Sequence, residues 1–264
     1  MGKSLNRYAA LIERIFFSHY KPGESEFLFE REELAATASE LNIKLPKKLG
    51  DVLYSFRYRV ALPESITRTA RPGMVWIIKG AGTGRYLFKQ AHMSRIEPDE
   101  TMLAIKVPNA TPEILLANAF DDEQALLAKV RYNRLIDLFL GITAHSLQNH
   151  LRTTVKSIGQ IEIDEIYVGL NRRGSQFIVP VQAKVGKDQH GVVQTEQDLL
   201  FCRERFPNLI CRPVSVHALS DNRIAMFELT LNDDQVRVID QKHYTLVPAS
   251  AISDADLHRY NAGD

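Results

Sequence analysis

Between residues 160 and 184 the chain reads QIEIDEIYVG, a short polar turn, and then QFIVPVQAK. In both runs β-branched and aromatic residues alternate with polar ones, and Asn171, Arg172, Arg173 and Gly174 between them supply a tight turn, so the segment predicts a β-hairpin. Side chains two apart on a strand share a face. Glu162 and Asp164 therefore project together from the first strand, and Gln182 and Lys184 from the second. The hairpin brings a carboxylate, an amide oxygen and an ammonium to one place.

That trio suits phosphodiester hydrolysis: a carboxylate holds Mg²⁺, the ion polarises the phosphate and activates water, and a lysine steadies the developing negative charge. Asp164 followed one hairpin later by Gln182-Ala183-Lys184 resembles the signature of the PD-(D/E)XK nuclease superfamily, in which an acid on one strand precedes an acid-x-Lys triplet on the next. The resemblance spans about residues 121–231. It implies a Mg²⁺-dependent endonuclease like the type II restriction enzymes. Asp164 would bind the metal, Lys184 would position water and stabilise the pentavalent phosphate, and Gln182 would complete the metal site, with the Ala183 carbonyl a further ligand. Gln182 stands where the family has an acid. An amide oxygen can coordinate Mg²⁺ but brings no charge, so the site leans harder on Asp164 and on Glu162 or water. Pro180 is a second departure, since proline removes a ladder donor and belongs at an edge or a bulge.

After the hairpin, residues 192–206 predict a helix with Gln194 and Gln197 on one face at i, i+3 spacing. The resemblance gives Gln194 or Gln197 the role of orienting water or a phosphate; taken alone, both read equally as solvated surface residues. Before it, residues 121–152 predict a long helix, bent or divided at Gly141, with Leu126, Leu127, Val130, Ile136 and Phe139 among its apolar positions. Its end carries His150 and Arg152 in a polar cluster suited to meeting phosphates. Asp137 is the candidate for the additional acid that the family takes from this helix. His145 and His150 are five apart, not the i, i+4 pair that faces one ion from a helix, and read as polar helix residues.

The N-terminal third predicts helices at 4–18, 32–41 and 47–58, then a hairpin of 74–79 and 85–90 around the glycine turn at 80–84. These pieces resemble a winged-helix DNA-binding domain, with 47–58 as the reading helix. Lys47, Lys48, Ser55 and Arg57 on it, followed by Arg59, Arg68 and Arg71, are the candidate DNA contacts. The glycine turn leads into a strand, not a helix, and so lacks the context of a phosphate cradle. Trp76 alternates with Met74 and Ile78 and reads as core.

Charge singles out the same region. Residues 44–89 hold ten Lys and Arg against Asp51 and Glu64, a net of +8, while the whole chain is +1 and the remainder therefore −7. Such asymmetry points to a polyanion partner. The 264 residues, 45% hydrophobic, suffice for two cores, with the boundary in the turn-rich 91–112 stretch: a domain at 1–95 and another at 96–264. Alternation at 209–219 and 223–231, with edge pieces at 236–239 and 244–247, extends the second domain. The expected class is α/β (α+β): a winged helix-turn-helix domain followed by a restriction-endonuclease-like mixed sheet flanked by helices.

No apolar run approaches a membrane span and residues 1–7 lack the apolar core of a secretory signal, which leads to a cytoplasmic expectation. Cys202 and Cys211 lack zinc-site companions. The expected partner is double-stranded DNA, read by a homodimer if the target is two-fold, with a DNA methyltransferase as functional companion in a restriction system. Two alternatives stay open: a repair or recombination nuclease that recognises DNA structure, and a non-catalytic winged-helix protein whose nuclease-like half has decayed.

Overall fold

The structure is a computed structural model that describes residues 8–58, 60–92, 96–118, 122–186, 190–219, 221–232 and 235–262. It begins with α1 (Ala9–His19), β1 (Glu26–Glu30), α2 (Glu32–Glu40), α3 (Gly50–Tyr58), α4 (Glu64–Thr67), β2 (Met74–Gly80) and β3 (Arg85–His92). β1 and β2 flank β3 in an antiparallel sheet of order β1-β3-β2. Helices α1 to α3 and the β2–β3 hairpin match the expected three helices and hairpin in order, but α3 begins at Gly50, so Lys47 and Lys48 precede the expected reading helix, and β1 is an addition. Leu11, Ile12, Ile15 and Phe16 recur at helical spacing on α1 and are fully buried. Phe16 sets its ring edge-on to Trp76 at 5.0 Å and to Phe88 at 5.1 Å, joining helix to sheet. Trp76 is core, as its alternation predicts, and its indole N–H donates to the Thr69 hydroxyl at 2.9 Å.

The chain continues through β4 (Ala104–Pro108), α5 (Glu113–Ala117), α6 (Asp122–Tyr132), α7 (Leu135–Leu140), β5 (Thr143–Val155), β6 (Gly159–Leu170), β7 (Gln176–Lys184) and α8 (Val192–Arg205). It closes with β8 (Ile210–Cys211), β9 (Val214–Ala218), β10 (Arg223–Asn232), β11 (Gln235–Val247) and α9 (Asp254–Asn261). Among the described residues these strands form one mixed sheet ordered β4-β11-β10-β9-β7-β6-β5, with β8 beside β7. β7 runs antiparallel to β6 and parallel to β9. Helices α6 and α7 cover one face through Leu126, Val130, Leu135 and Ile136, packed on Val179, Val181 and Val216. Phe201 and Cys202 of α8 pack against Ile166 and Ile178. The molecule is thus a mixed α/β protein.

The long helix expected at 121–152 is overturned. It divides into α6 and α7, and its last part is β5. Arg134 and Gly141 both hold left-handed backbone, at φ 51° and 64°, which interrupts one helix and ends the next. Beyond Gly141, the chain pairs with β6 from Thr143↔Leu170 to Val155↔Gly159. His145, His150 and Arg152 therefore lie on an exposed edge strand. The expected pieces at 236–239 and 244–247 are parts of the single strand β11. Pro180 lies inside the sheet without breaking it. On that side, β7 pairs with β8 through Phe177 and Ile178 and with β9 only from Val181 onward, so proline occupies the interval between two partners.

Candidate active site

The hairpin ladder between β6 and β7 runs from Leu170↔Gln176 only as far as Glu165↔Val181. Past that point side chains replace it. The Ala183 N–H donates to Asp164 Oδ2 at 2.8 Å, and Gln182 Nε2 donates to the Glu162 carbonyl at 3.3 Å. The strands part where Asp164, Gln182 and Lys184 project, while β7 stays anchored to β9 through Lys184↔His217. Asp164 and Lys184 are each 8% exposed and Gln182 is 2% exposed, so the expected trio is brought together and nearly enclosed.

Two further acids reach this point. Asp198 of α8 is buried and accepts Gln182 Nε2 at both carboxylate oxygens, at 3.1 and 3.3 Å. Glu123, at the start of α6, hydrogen-bonds the Asp164 side chain. From the segment before the hairpin, the acid beside Asp164 is therefore Glu123. Asp137 instead accepts from Arg134 and from the Ala144 N–H, fixing the turn from α7 into β5.

Burial raises the Asp164 carboxyl above the usual carboxylate range, against the opposing pull of Lys184, the Ala183 N–H and Glu123. Burial lifts Asp198 well above that range too, and Asp164 adds repulsion. On the other side of Lys184, burial holds His217 down at about 4 and His190 well below its ordinary value, and the ammonium pushes both in the same direction. Both imidazoles are neutral at pH 7. His217 bonds the Ser215 hydroxyl at 2.9 Å and His190 the Thr195 hydroxyl at 2.7 Å.

The remaining candidates divide. Gln194 points its amide at Gln182 Oε1, 3.5 Å away, and its oxygen accepts from the Gly191 N–H, while Gln197 is buried in α8. Glu162 faces the same side as Asp164, but Arg152 takes its Oε1 through Nε and Nη2 at 3.1 and 3.0 Å, and the Tyr54 hydroxyl donates to its Oε2 at 3.2 Å. Lys47, Lys48, Arg57 and Arg152 all line one cleft between α3 and the β5–β6 hairpin. Arg68 instead pairs with Glu64, and Arg71 donates to the Gly23 carbonyl. Ser55 lies on α3 and gives its carbonyl to the Val60 N–H. His150 is exposed with a left-handed backbone at φ 45°, and Arg59 lies outside the described residues.

Sequence reasoning missed Glu123, Asp198 and His217. Asp198 was within reach, because it stands four residues after Gln194 and shares its helix face. Glu123 had no such signal in a segment whose pattern reads as one long helix. Among the described residues no group of three His, Cys, Asp or Glu is placed to hold a metal ion. The donors that do meet are hard oxygens in a pair of carboxyls, Asp164 and Glu123, with the Ala183 main chain beside them. Mg²⁺ is commonly held by one or two carboxylates plus water and substrate phosphate, so this donor set fits it. Among the described residues no helix is long and apolar enough to cross a membrane. Comparisons of the chain with protein-family models, curated proteins and solved structures found no match.

Proposed function

We propose that this chain is a Mg²⁺-dependent deoxyribonuclease that hydrolyses phosphodiester bonds, as its resemblance to the PD-(D/E)XK superfamily implies. The observation that carries the reading is the convergence of Asp164, Gln182 and Lys184 where β6 and β7 part, joined by Glu123 and Asp198 from two helices. A buried cluster of acids around one lysine has no packing advantage over apolar residues, since each charge withdrawn from water costs several kcal/mol. Perturbed carboxyls grouped in this way mark sites of chemistry more often than of structure.

Asp164 and Glu123 would hold the Mg²⁺, which supplies charge to polarise the phosphate and acidify water. Lys184 presents its ammonium to the same point and stabilises negative charge developing on the phosphoryl oxygens. Two neutral imidazoles beside it leave that charge uncompeted. Gln182 serves as a brace: its amide nitrogen is engaged by Asp198 and the Glu162 carbonyl, and its oxygen faces Gln194. Asp198 is thus the acid nearest the position where the family carries one.

In one form of this reading a homodimer cuts a two-fold duplex sequence, alongside a protective methyltransferase. Arg57 of α3 and Lys47 of the turn before it line a cleft that faces the β5–β6 hairpin, which favours the other form, recognition of DNA structure. The test is incubation with long unmethylated duplex DNA and with branched DNA in Mg²⁺, beside EDTA and Asp164→Asn controls. Cleavage that needs Mg²⁺ and Asp164 supports the proposal; discrete bands from the duplex indicate the sequence-specific form. DNA binding without cleavage of either substrate sinks it and leaves the non-catalytic DNA-binding alternative.

A further inference from the structure

The cleft beside α3 has a volume of about 960 Å³ and is walled by the start of α2, by α3 and the turn before it, by the glycine turn between β2 and β3, and by the β5–β6 hairpin. Lys47 and Lys48 enter it from the turn before α3, Arg57 from α3 and Arg152 from β5, and Glu32, Asp51 and Glu162 also line it. Lys47 and Lys48 are exposed, so their charge is available to a ligand. Tyr54 and Tyr86 add aromatic side chains to the same walls. Cations that follow a backbone, interleaved with rings on which bases stack, are what a single nucleic-acid strand requires.

The size and rigidity of the cleft restrict its occupant. Pockets of roughly 300–1,000 Å³ enclose drug-sized ligands. A few linked nucleotides fit that space and a double helix does not. Three contacts hold α3 and the wing against the large sheet. Lys79 pairs with Glu196 of α8 at 2.5 Å with both side chains largely buried, and Tyr54 bonds Glu162. At the third contact the backbones touch: a Cβ on Gly80 would stand 1.8 Å from the Ile158 carbonyl oxygen. Entry of this α3 face into a major groove about 12 Å wide would require those contacts to break.

The cleft also leads somewhere. Glu162 lines it and lies two residues from Asp164 on the same face of β6, about 7 Å along the strand. We propose that this cleft binds one unpaired strand of DNA and delivers it to Asp164, so that the substrate is a duplex with a single-stranded arm. The inference rests on the nuclease reading for its last step only; strand binding itself needs no metal.

Fluorescence anisotropy in EDTA tests it with three labelled probes: oligo(dT), a blunt duplex of equal length, and that duplex with a single-stranded arm. Oligo(dT) and the armed duplex should bind at least about tenfold more tightly than the blunt duplex. Lys47→Ala with Lys48→Ala should erase that preference and reduce the salt slope by roughly 0.7 for each phosphate that is no longer neutralised. Circular dichroism verifies that the double variant folds, which its exposed positions favour. Equal or tighter binding of the blunt duplex overturns the proposal, as does a double variant that folds and keeps the preference. Strand binding with no cleavage of the armed duplex in Mg²⁺ would refute the nuclease reading while leaving the cleft assignment standing.

Discussion

Asp164 and Glu165 are neighbours on β6, both buried acids, and they have opposite fates. Glu165 is completely enclosed and meets Arg131 of α6 at 2.8 Å and the Ser146 hydroxyl at 2.5 Å. Its charge is matched within the fold. Asp164 faces the other way, where its neighbours include Glu123, Glu162 and Asp198 as well as Lys184. A strand alternates its faces, so one residue step separates an acid that the fold neutralises from an acid that the fold leaves raised and under-compensated. Glu165 has a dedicated cation; Asp164 is raised by burial, with Lys184, the Ala183 N–H and Glu123 pulling against it.

The largest effect should come from Asp164→Asn, which keeps an oxygen for the Ala183 N–H but removes the charge. Cleavage should fall roughly 10²–10³-fold, the scale for loss of one group that acts on transition-state charge. Stability should hold or rise. A folded carboxyl raised above its ordinary 3.8 loses stability as pH climbs past that value, because the unfolded chain releases its proton more readily, and asparagine lacks this loss. A substantial drop in urea midpoint would mean that Asp164 is structural after all.

Glu165→Ala should give the mirror image: about 3 kcal/mol of stability lost in urea unfolding, with cleavage per folded molecule retained. That is the low end for removing one partner of a buried pair, since Arg131 keeps about a third of its side chain in solvent. Loss of cleavage with unchanged stability would erase the distinction between the two acids.

A third comparison sets the two sides against pH. His217 stands beside Lys184, across β7 from Asp164, with its folded value at about 4 against an ordinary 6.5. The depressed histidine contributes stability that is present above about pH 6.5 and lost as pH falls through 4, up to about 3 kcal/mol at the acid limit. Wild type minus His217→Gln, measured by urea unfolding at pH 7, 5.5 and 4.5, should isolate that slope. Parallel pH dependences in the two proteins would show that His217 is not held neutral.

Much of this contrast was legible before the fold was. Period-two alternation placed Asp164 and Lys184 on facing strands and Glu165 on the reverse. The partners were not legible, because tertiary packing supplies them. Glu123 and Asp198 come from helices 41 residues before and 34 residues after Asp164, a distance no local pattern spans. β5 escaped because most of its side chains are exposed, which removes the apolar alternation that betrays a half-buried strand. The basic patch was legible as charge but not as free charge: Lys79 and Lys89 pair with Glu196 and Glu26, acids outside the 44–89 stretch.

Glu162 is the case between the two acids and yields the smallest effect. It shares a face with Asp164, which made it a candidate metal ligand, yet each of its oxygens is claimed, one by Arg152 and one by Tyr54. Tyr54→Phe removes one of those bonds and should cost about 1 kcal/mol, the net value of a single hydrogen bond, while Arg152 stays in place. The informative readout is the Mg²⁺ concentration for half-maximal cleavage. If Glu162 is a post that ties α3 to the sheet, that concentration stays as in wild type. If Glu162 is a ligand restrained by tyrosine, freeing its oxygen lowers the requirement for Mg²⁺. The bidentate Arg152 contact decides the expectation: a carboxylate already facing a guanidinium gains little from losing a phenol, so the half-maximal concentration should not move.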